Sequence, residues 1–263
     1  MFAYSHNIKL FYQIEGEGRG IPLVFINSLG CDLSIWDDVV KPWLSEYRIV
    51  RYDTRGHGHS QAPAGPYTLA DHTNDLAGLL DILGISKALL VGISVGGLIA
   101  MDYALSRPAA VTALVLCDTA PRIGSRQIWR DRIRSVREQG LEKMAKTIIE
   151  RWFTTNFSHS HLDLYQNAFK MLQCNSQDGY IATCAALRDA NLSGLIQSIT
   201  VPVMAVCGAE DHVVTPTQTR EWAARFPRAR VEVIPGAAHL PCIEQPAALA
   251  QVIQAFLKEG GYA

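Results

Sequence analysis

KALLVGISVGGLIA, residues 87–100, is an apolar strand that runs into Gly92-Ile93-Ser94-Val95-Gly96 and continues without a break into a helix-compatible segment. A serine held on a sharp strand-to-helix turn needs neighbours without a Cβ, because the two backbones pass close together there. Gly92 and Gly96 supply that room. The turn lifts the Ser94 hydroxyl clear of the strand at the N-terminus of the helix, where backbone N–H groups without partners favour developing negative charge. The stretch reads as an elbow that presents a nucleophile.

Working outward, continuous apolar runs at 21–27, 48–52, 88–93, 111–117 and 201–207 have the pattern of parallel strands covered on both faces. Helix-period segments at 36–45, 69–83 and 95–106, the last stopped by Pro108, separate most of them. Alternation over 3–16, with Ile8, Leu10, Tyr12 and Ile14 on one side, predicts strand with one solvated face. The fold class is α/β, a doubly wound, mostly parallel sheet. Helical segments at 126–139, 141–153, 161–173 and 178–190 then follow one another with no buried strand between them. The sheet resumes at 201, adds a strand at 230–234 and closes with a helix at 246–258. Residues 1–121 and 199–263 are expected to form one core, with 122–198 inserted after the sixth strand as a helical cap over the open end of the sheet.

A chain of 263 residues, 48% of them hydrophobic, can bury a large core. Net charge of −1 and a pI near 6.7 provide no broad basic surface for nucleic acid, so a small molecule is the expected partner. No run is long enough to cross a bilayer, and no basic leader precedes an apolar stretch. Six scattered cysteines without a CxxC pair suggest reduced thiols. A cytoplasmic protein, monomer or small homo-oligomer, is expected.

A serine hydroxyl becomes a useful nucleophile when a base takes its proton, and that base needs an acceptor to hold its tautomer. Polar residues stand where the apolar strands end: Asn27, Ser28, Asp53, Ser94, Asp118, Asp211 and His239. In an open α/β sheet these should line one crevice. Ser94, Asp211 and His239 follow the chain order in which an elbow serine finds its acid and base. Asp118 is the alternative acid, Glu210 adjoins Asp211, and His212 reads as a bystander. An oxyanion needs two donors, for which the amides of Val95 and Leu29 are the candidates. Asp53, Arg55, His57 and His59 read as a tight loop knitted by Asp53 and Arg55, not as a metal site. No metal or organic cofactor is expected. Trp36, Trp129, Trp152 and Phe153 are candidates for touching substrate.

With elbow, triad order and insert in place, the sequence resembles the α/β-hydrolase superfamily over nearly its whole length. Within it, Asn27-Ser28-Leu29-Gly30-Cys31-Asp32 with Trp36 resembles the 3-oxoadipate enol-lactonases, where most relatives carry His-Gly-x-Gly. Segments of the insert agree: Thr119-Ala120-Pro121-Arg122-Ile123-Gly124, Arg151-Trp152-Phe153-Thr154, Gly179-Tyr180, and the run from Cys184 to Ala190. Val95 departs from the longer side chain common after the serine. The resemblance implies an eight-stranded sheet and hydrolysis of 3-oxoadipate enol-lactone to 3-oxoadipate through an acyl-enzyme, a step in protocatechuate and catechol breakdown. The substrate's carboxylate then calls for a cation under the cap. Arg130, Arg132, Arg134, Arg151 and Arg188 are available, with Arg132 and Arg188 chosen alongside Trp129 and Trp152. The rival readings are a general carboxylesterase, a carbon–carbon bond hydrolase, and a binding protein that reuses the scaffold without turnover.

Overall fold

The computed structural model describes residues 1–5 and 7–262. Its strands are β1 (Phe2–Ser5), β2 (Ile8–Glu15), β3 (Leu23–Ile26), β4 (Ile49–Tyr52), β5 (Ala88–Ile93), β6 (Val111–Cys117), β7 (Val203–Gly208) and β8 (Ala229–Ile234). They form one sheet in the order β1-β2-β4-β3-β5-β6-β7-β8, antiparallel at β1-β2 and β2-β4 and parallel from there on. Strands β3, β4, β5 and β7 are buried at every residue, which explains why they read as unbroken apolar runs. Edge strand β8 is fully buried only at Ile234.

The helices are α1 (Asp37–Val40), α2 (Leu69–Ile82), α3 (Val95–Ser106), α4 (Arg126–Gln139), α5 (Leu141–Ile149), α6 (Thr155–Ser160), α7 (Leu162–Cys174), α8 (Gln177–Asp189), α9 (Pro216–Ala223), α10 (Pro241–Glu244) and α11 (Pro246–Glu259). Helix α2 packs on α3, and α1 on α11. Between β6 and β7 the chain is helical, with α4 against α8 and α5 against α7. No helix of the described residues is long and apolar enough to cross a membrane.

Local chemistry accounts for the departures from the sequence reading. The segment expected as one helix over 36–45 is broken into a 3₁₀ turn at Leu33–Trp36, the single turn α1, and a second 3₁₀ turn at Lys41–Trp43. Pro42 lacks an N–H and its ring clashes with the carbonyl four residues back, so a continuous helix cannot pass. The helix expected over 141–153 stops at Ile149: Arg151 N and Trp152 N close tighter turns onto Ile148 O and Ile149 O, and beyond them the chain bonds elsewhere, Trp152 O accepting from Leu240 N at 3.1 Å and Thr154 N donating to Glu244 at 2.8 Å. Helices α6, α9 and α10 were not anticipated. For α9 the signal was present, since Thr215 and Gln218 form a reciprocal capping box with Pro216 in the first turn.

Candidate active site

Strand β5 passes into α3 through Ser94, whose φ of +55° lies in a region few non-glycine residues occupy. Such backbone costs about 1–3 kcal/mol and persists only where its surroundings hold it. Ser94 N donates to Cys117 O at 2.9 Å, and Thr119 Oγ1 donates to Ser94 O at 2.6 Å. A Cβ on Gly92 would lie 2.3 Å from Gly96 O, and one on Gly96 2.3 Å from Ile26 O. Both positions are therefore closed to any larger residue. Thr119 enters the sequence reading only as the start of the 119–124 segment and with no role at the elbow, because a threonine after a strand carries no signal by itself.

Asp211 sits on the loop after β7 and His239 on the loop after β8. A Cβ on Gly208 would meet Ala238 O at 2.0 Å, so glycine at the end of β7 is what lets the two loops lie against each other. Asp211 Oδ2 accepts from His239 Nδ1 at 2.9 Å, and Oδ1 accepts from Val213 N at 2.7 Å. A carboxylate only accepts, so Nδ1 carries the ring proton and Nε2 keeps its lone pair. No hydrogen bond joins Ser94 Oγ to the imidazole among the described residues, but both side chains line one cavity. Asp118, the alternative acid, is fully buried and accepts from Gly208 N at 2.7 Å, with no bond to the histidine. Burial and then the charge of Asp211 hold its carboxyl well above the usual carboxylate range. Glu210 is exposed.

The cavity has a volume of about 250 Å³. Ser28, Leu29, Ser94 and His239 line it from the sheet side, and Ile128, Trp129, Arg132, Ile148, Arg151, Trp152 and Tyr180 from the segment between β6 and β7, Arg151 and Trp152 standing on the turn after α5. The amides of Leu29 and Val95 donate to no acceptor among the described residues. Trp129 is pinned as a wall, its Nε1 donating to Ile123 O at 2.6 Å. Arg132 Nη1 donates to Tyr180 Oη at 3.0 Å. Neither Arg132 nor Arg151 has a carboxylate partner among the described residues.

Several expectations need correction. Arg188 lies outside the cavity and pairs with its neighbour Asp189 at 2.6 Å, because the end of α8 turns both toward solvent. Arg134 likewise pairs with Asp131 at 2.7 Å. His212, read as a bystander, lines the cavity, while the Val95 side chain does not. Trp36 is core, its Nε1 donating to Asn27 Oδ1 at 3.0 Å, and Phe153 stacks on Phe157. Asn27 and Asp53 do not line the crevice. Asn27 Nδ2 donates to Tyr52 O at 2.9 Å, and Asp53 accepts from Leu33 N at 2.7 Å and His59 N at 2.8 Å. Asp53 knits this loop as the sequence suggested, its backbone oxygen also accepting from Ser60 Oγ at 2.6 Å, whereas Arg55 reaches out of the loop to Asp75 on α2 at 2.6 Å; burial pushes His57 down to about 4. Ile128 and Ile148 carry no signal in the sequence, and Tyr180 enters it only within the Gly179-Tyr180 segment, because apolar and aromatic residues at helical spacing look the same whether they face a core or a cavity.

The helical insert is tied directly to the histidine loop. Besides the Leu240–Trp152 bond, buried Glu244 accepts from Thr154 N at 2.8 Å through Oε1 and from Ala238 N at 2.7 Å through Oε2. Glu244→Gln turns one accepting oxygen toward an N–H as an NH₂. The expected result is a loss of about 1–3 kcal/mol in stability, seen as a lower urea midpoint with an unchanged slope.

Comparison with known proteins places this geometry. A family model described as alpha/beta hydrolase fold matches residues 21–246. The chain is 34% identical over 254 residues to 3-oxoadipate enol-lactonase 2 of Acinetobacter baylyi, covering 97% of this chain and 95% of that protein. Among solved structures, the enol-lactonase from Burkholderia xenovorans superposes with a TM-score of 0.95 at 35% identity, covering 98% of this chain and all of that one (100%). A thermophilic esterase from Thermogutta terrifontis, determined with malate bound, superposes with a TM-score of 0.93 at 26% identity, covering 100% of this chain and 99% of that one.

Proposed function

Because this chain belongs to the alpha/beta hydrolase fold family, we propose that it is an ester hydrolase acting on a small enol-lactone that carries a carboxylate, 3-oxoadipate enol-lactone or a near analogue. One observation carries the reading. A single cavity holds Ser94 and His239 on its sheet side and, on its helical side, two guanidinium groups, Arg132 and Arg151, without a carboxylate partner among the described residues. The names of the relatives at 34% and 35% identity support the same substrate class.

In this reading Ser94 Oγ attacks the ring carbonyl while His239 Nε2 takes its proton, and Asp211 stabilises the imidazolium. The Oγ–Nε2 hydrogen bond forms as substrate enters, since serine–base contacts are commonly loose before then. The Leu29 and Val95 amides receive the oxyanion, a donor of this kind contributing about two to three powers of ten in rate. The ring C–O bond breaks as the imidazolium passes its proton to the leaving enolate oxygen, the resulting enol stays tethered to the acyl-enzyme, and its tautomerisation to the ketone removes the group that could close the ring again. Water activated by His239 then releases the acid. Residues 122–198 act as the cap, with Trp129 and Trp152 as flat apolar walls around the ring and Arg132 and Arg151 facing its carboxylate.

The test is to generate the enol-lactone enzymatically and follow its disappearance. Wild-type protein is expected to consume it, and Arg132→Gln and Arg151→Gln are each expected to lower kcat/KM for the lactone by about 10- to 100-fold. Their activity on the neutral ester 4-nitrophenyl acetate should stay within about threefold of wild type. Equal losses on both substrates would remove the carboxylate role, and ester hydrolysis without lactone turnover would make the protein a general carboxylesterase.

A further inference from the structure

We propose that Asp118 carries a proton and donates it from Oδ2 to the Asp211 carboxylate, so that the two buried acids share one negative charge and Asp118 orients Asp211 against His239. The inference rests on the reading of Asp211 and His239 as acid and base of the site. Asp118 follows β6 and Asp211 follows β7, paired neighbours in the sheet, so the topology delivers both carboxyl groups to one place. Both residues are buried. One oxygen of each lies within 4.8 Å of the other and of a ring nitrogen of His239. Two carboxylates that close in a dry interior do not both stay ionised. Neither forms an ion pair with a lysine or arginine among the described residues, and His239 is the partner of Asp211 alone.

The hydrogen bonds decide which acid keeps the proton. Among the described residues Asp211 accepts from both His239 Nδ1 and Val213 N, whereas Asp118 accepts only from Gly208 N. The charge therefore stays on Asp211. Protonation also accounts for an orphan: as a carboxylate oxygen, Asp118 Oδ2 is fully buried with no donor among the described residues, but as a hydroxyl it needs an acceptor, and Asp211 is at hand. Burial, then the Asp211 charge, and at the end of the series the more weakly felt Glu244 all push the Asp118 carboxyl in the same upward direction. Asp118 holds its place at a φ of +44°, a backbone region that aspartate and asparagine enter more readily than most residues. Asp118, Asp211 and His239 have the atom types of a metal site, but Asp211 Oδ2 and His239 Nδ1 are already bonded to each other at 2.9 Å. Asp118 is thus a positioning residue that acts through Asp211.

The experiment compares Asp118→Asn, Asp118→Ala and Asp211→Asn. Asparagine suits the left-handed backbone and keeps an N–H donor where the acid has its O–H. Its kcat on the lactone is expected to fall by about threefold or less, whereas Asp118→Ala loses about 10- to 100-fold in kcat with KM nearly unchanged. In the infrared in D₂O at neutral pH, wild type minus Asp118→Asn should contain one protonated-carboxyl C=O band. The proposal is overturned if that band is missing, or if Asp118→Asn is as damaging as Asp211→Asn. Should Asp118→Ala fail to fold, the spectrum and the asparagine variant still decide. If Ser94→Ala and Asp211→Asn both left activity intact, the triad reading would fall instead, and the band would still report the shared proton.

Discussion

Ser94→Ala is expected to lower kcat for the lactone by roughly 10⁴-fold or more while leaving the thermal midpoint close to wild type. Activity goes because the attacking oxygen is gone. Stability stays because the hydroxyl bonds to neither the imidazole nor its own helix, whose N-terminus has no side-chain cap. The residual rate expected is what the Leu29 and Val95 amides, proposed to receive the oxyanion, and the cavity would supply without a nucleophile. His239→Ala should lose a similar amount, and the double variant little more than either alone, because serine and histidine act as a unit. Steady-state rates for the three proteins on the lactone check this. A loss below about tenfold for Ser94→Ala would mean that the cavity works by another route.

Asp211→Asn is the second large effect, about 10⁴-fold in kcat with the fold intact. The cause is tautomeric. An asparagine that presents its NH₂ to Nδ1 makes that nitrogen an acceptor and drives the ring proton to Nε2, where it faces the serine and blocks proton abstraction. The 2.9 Å contact that now selects the reactive tautomer would select the inert one. Measuring kcat and KM separately tests the account, since a tautomer fault lowers kcat and leaves substrate binding alone. The contrast with Asp118→Asn is the sharpest available: an amide donor serves at 118 and is harmful at 211.

Much of this site was legible along the chain, and the reason is local. The elbow declares itself because glycines at 92 and 96 are demanded by contacts between consecutive elements, and those contacts are implied by strand followed by helix. Asp211 and His239 could be proposed because each stands just past a strand of the sheet, Asp211 after buried β7 and His239 after edge strand β8, in a set chain order. The arginines were harder. Arg132 and Arg188 were equal candidates as letters on cap helices, but one has Tyr180 as its partner and faces the cavity, while the other is spent on Asp189. Arg151 and His212 line the cavity without any periodic signal to mark them. Helical spacing states which residues share a face and is silent about what that face meets.

By itself, then, the order of residues determined the sheet of buried parallel strands, the turn that carries the serine, and the two residues proposed as its acid and base. Each follows from short-range constraints of sterics, burial period and chain order. Only the tertiary structure decided which polar groups meet across distant segments: Glu244 holding Thr154 and Ala238 together, Asp118 brought beside Asp211, and two arginines at the cavity wall left without acidic partners among the described residues. Those pairings depend on where neighbouring strands end and how the helices between β6 and β7 pack. Hydrogen-bond geometry of that kind is set in space, and no spacing along the chain encodes it.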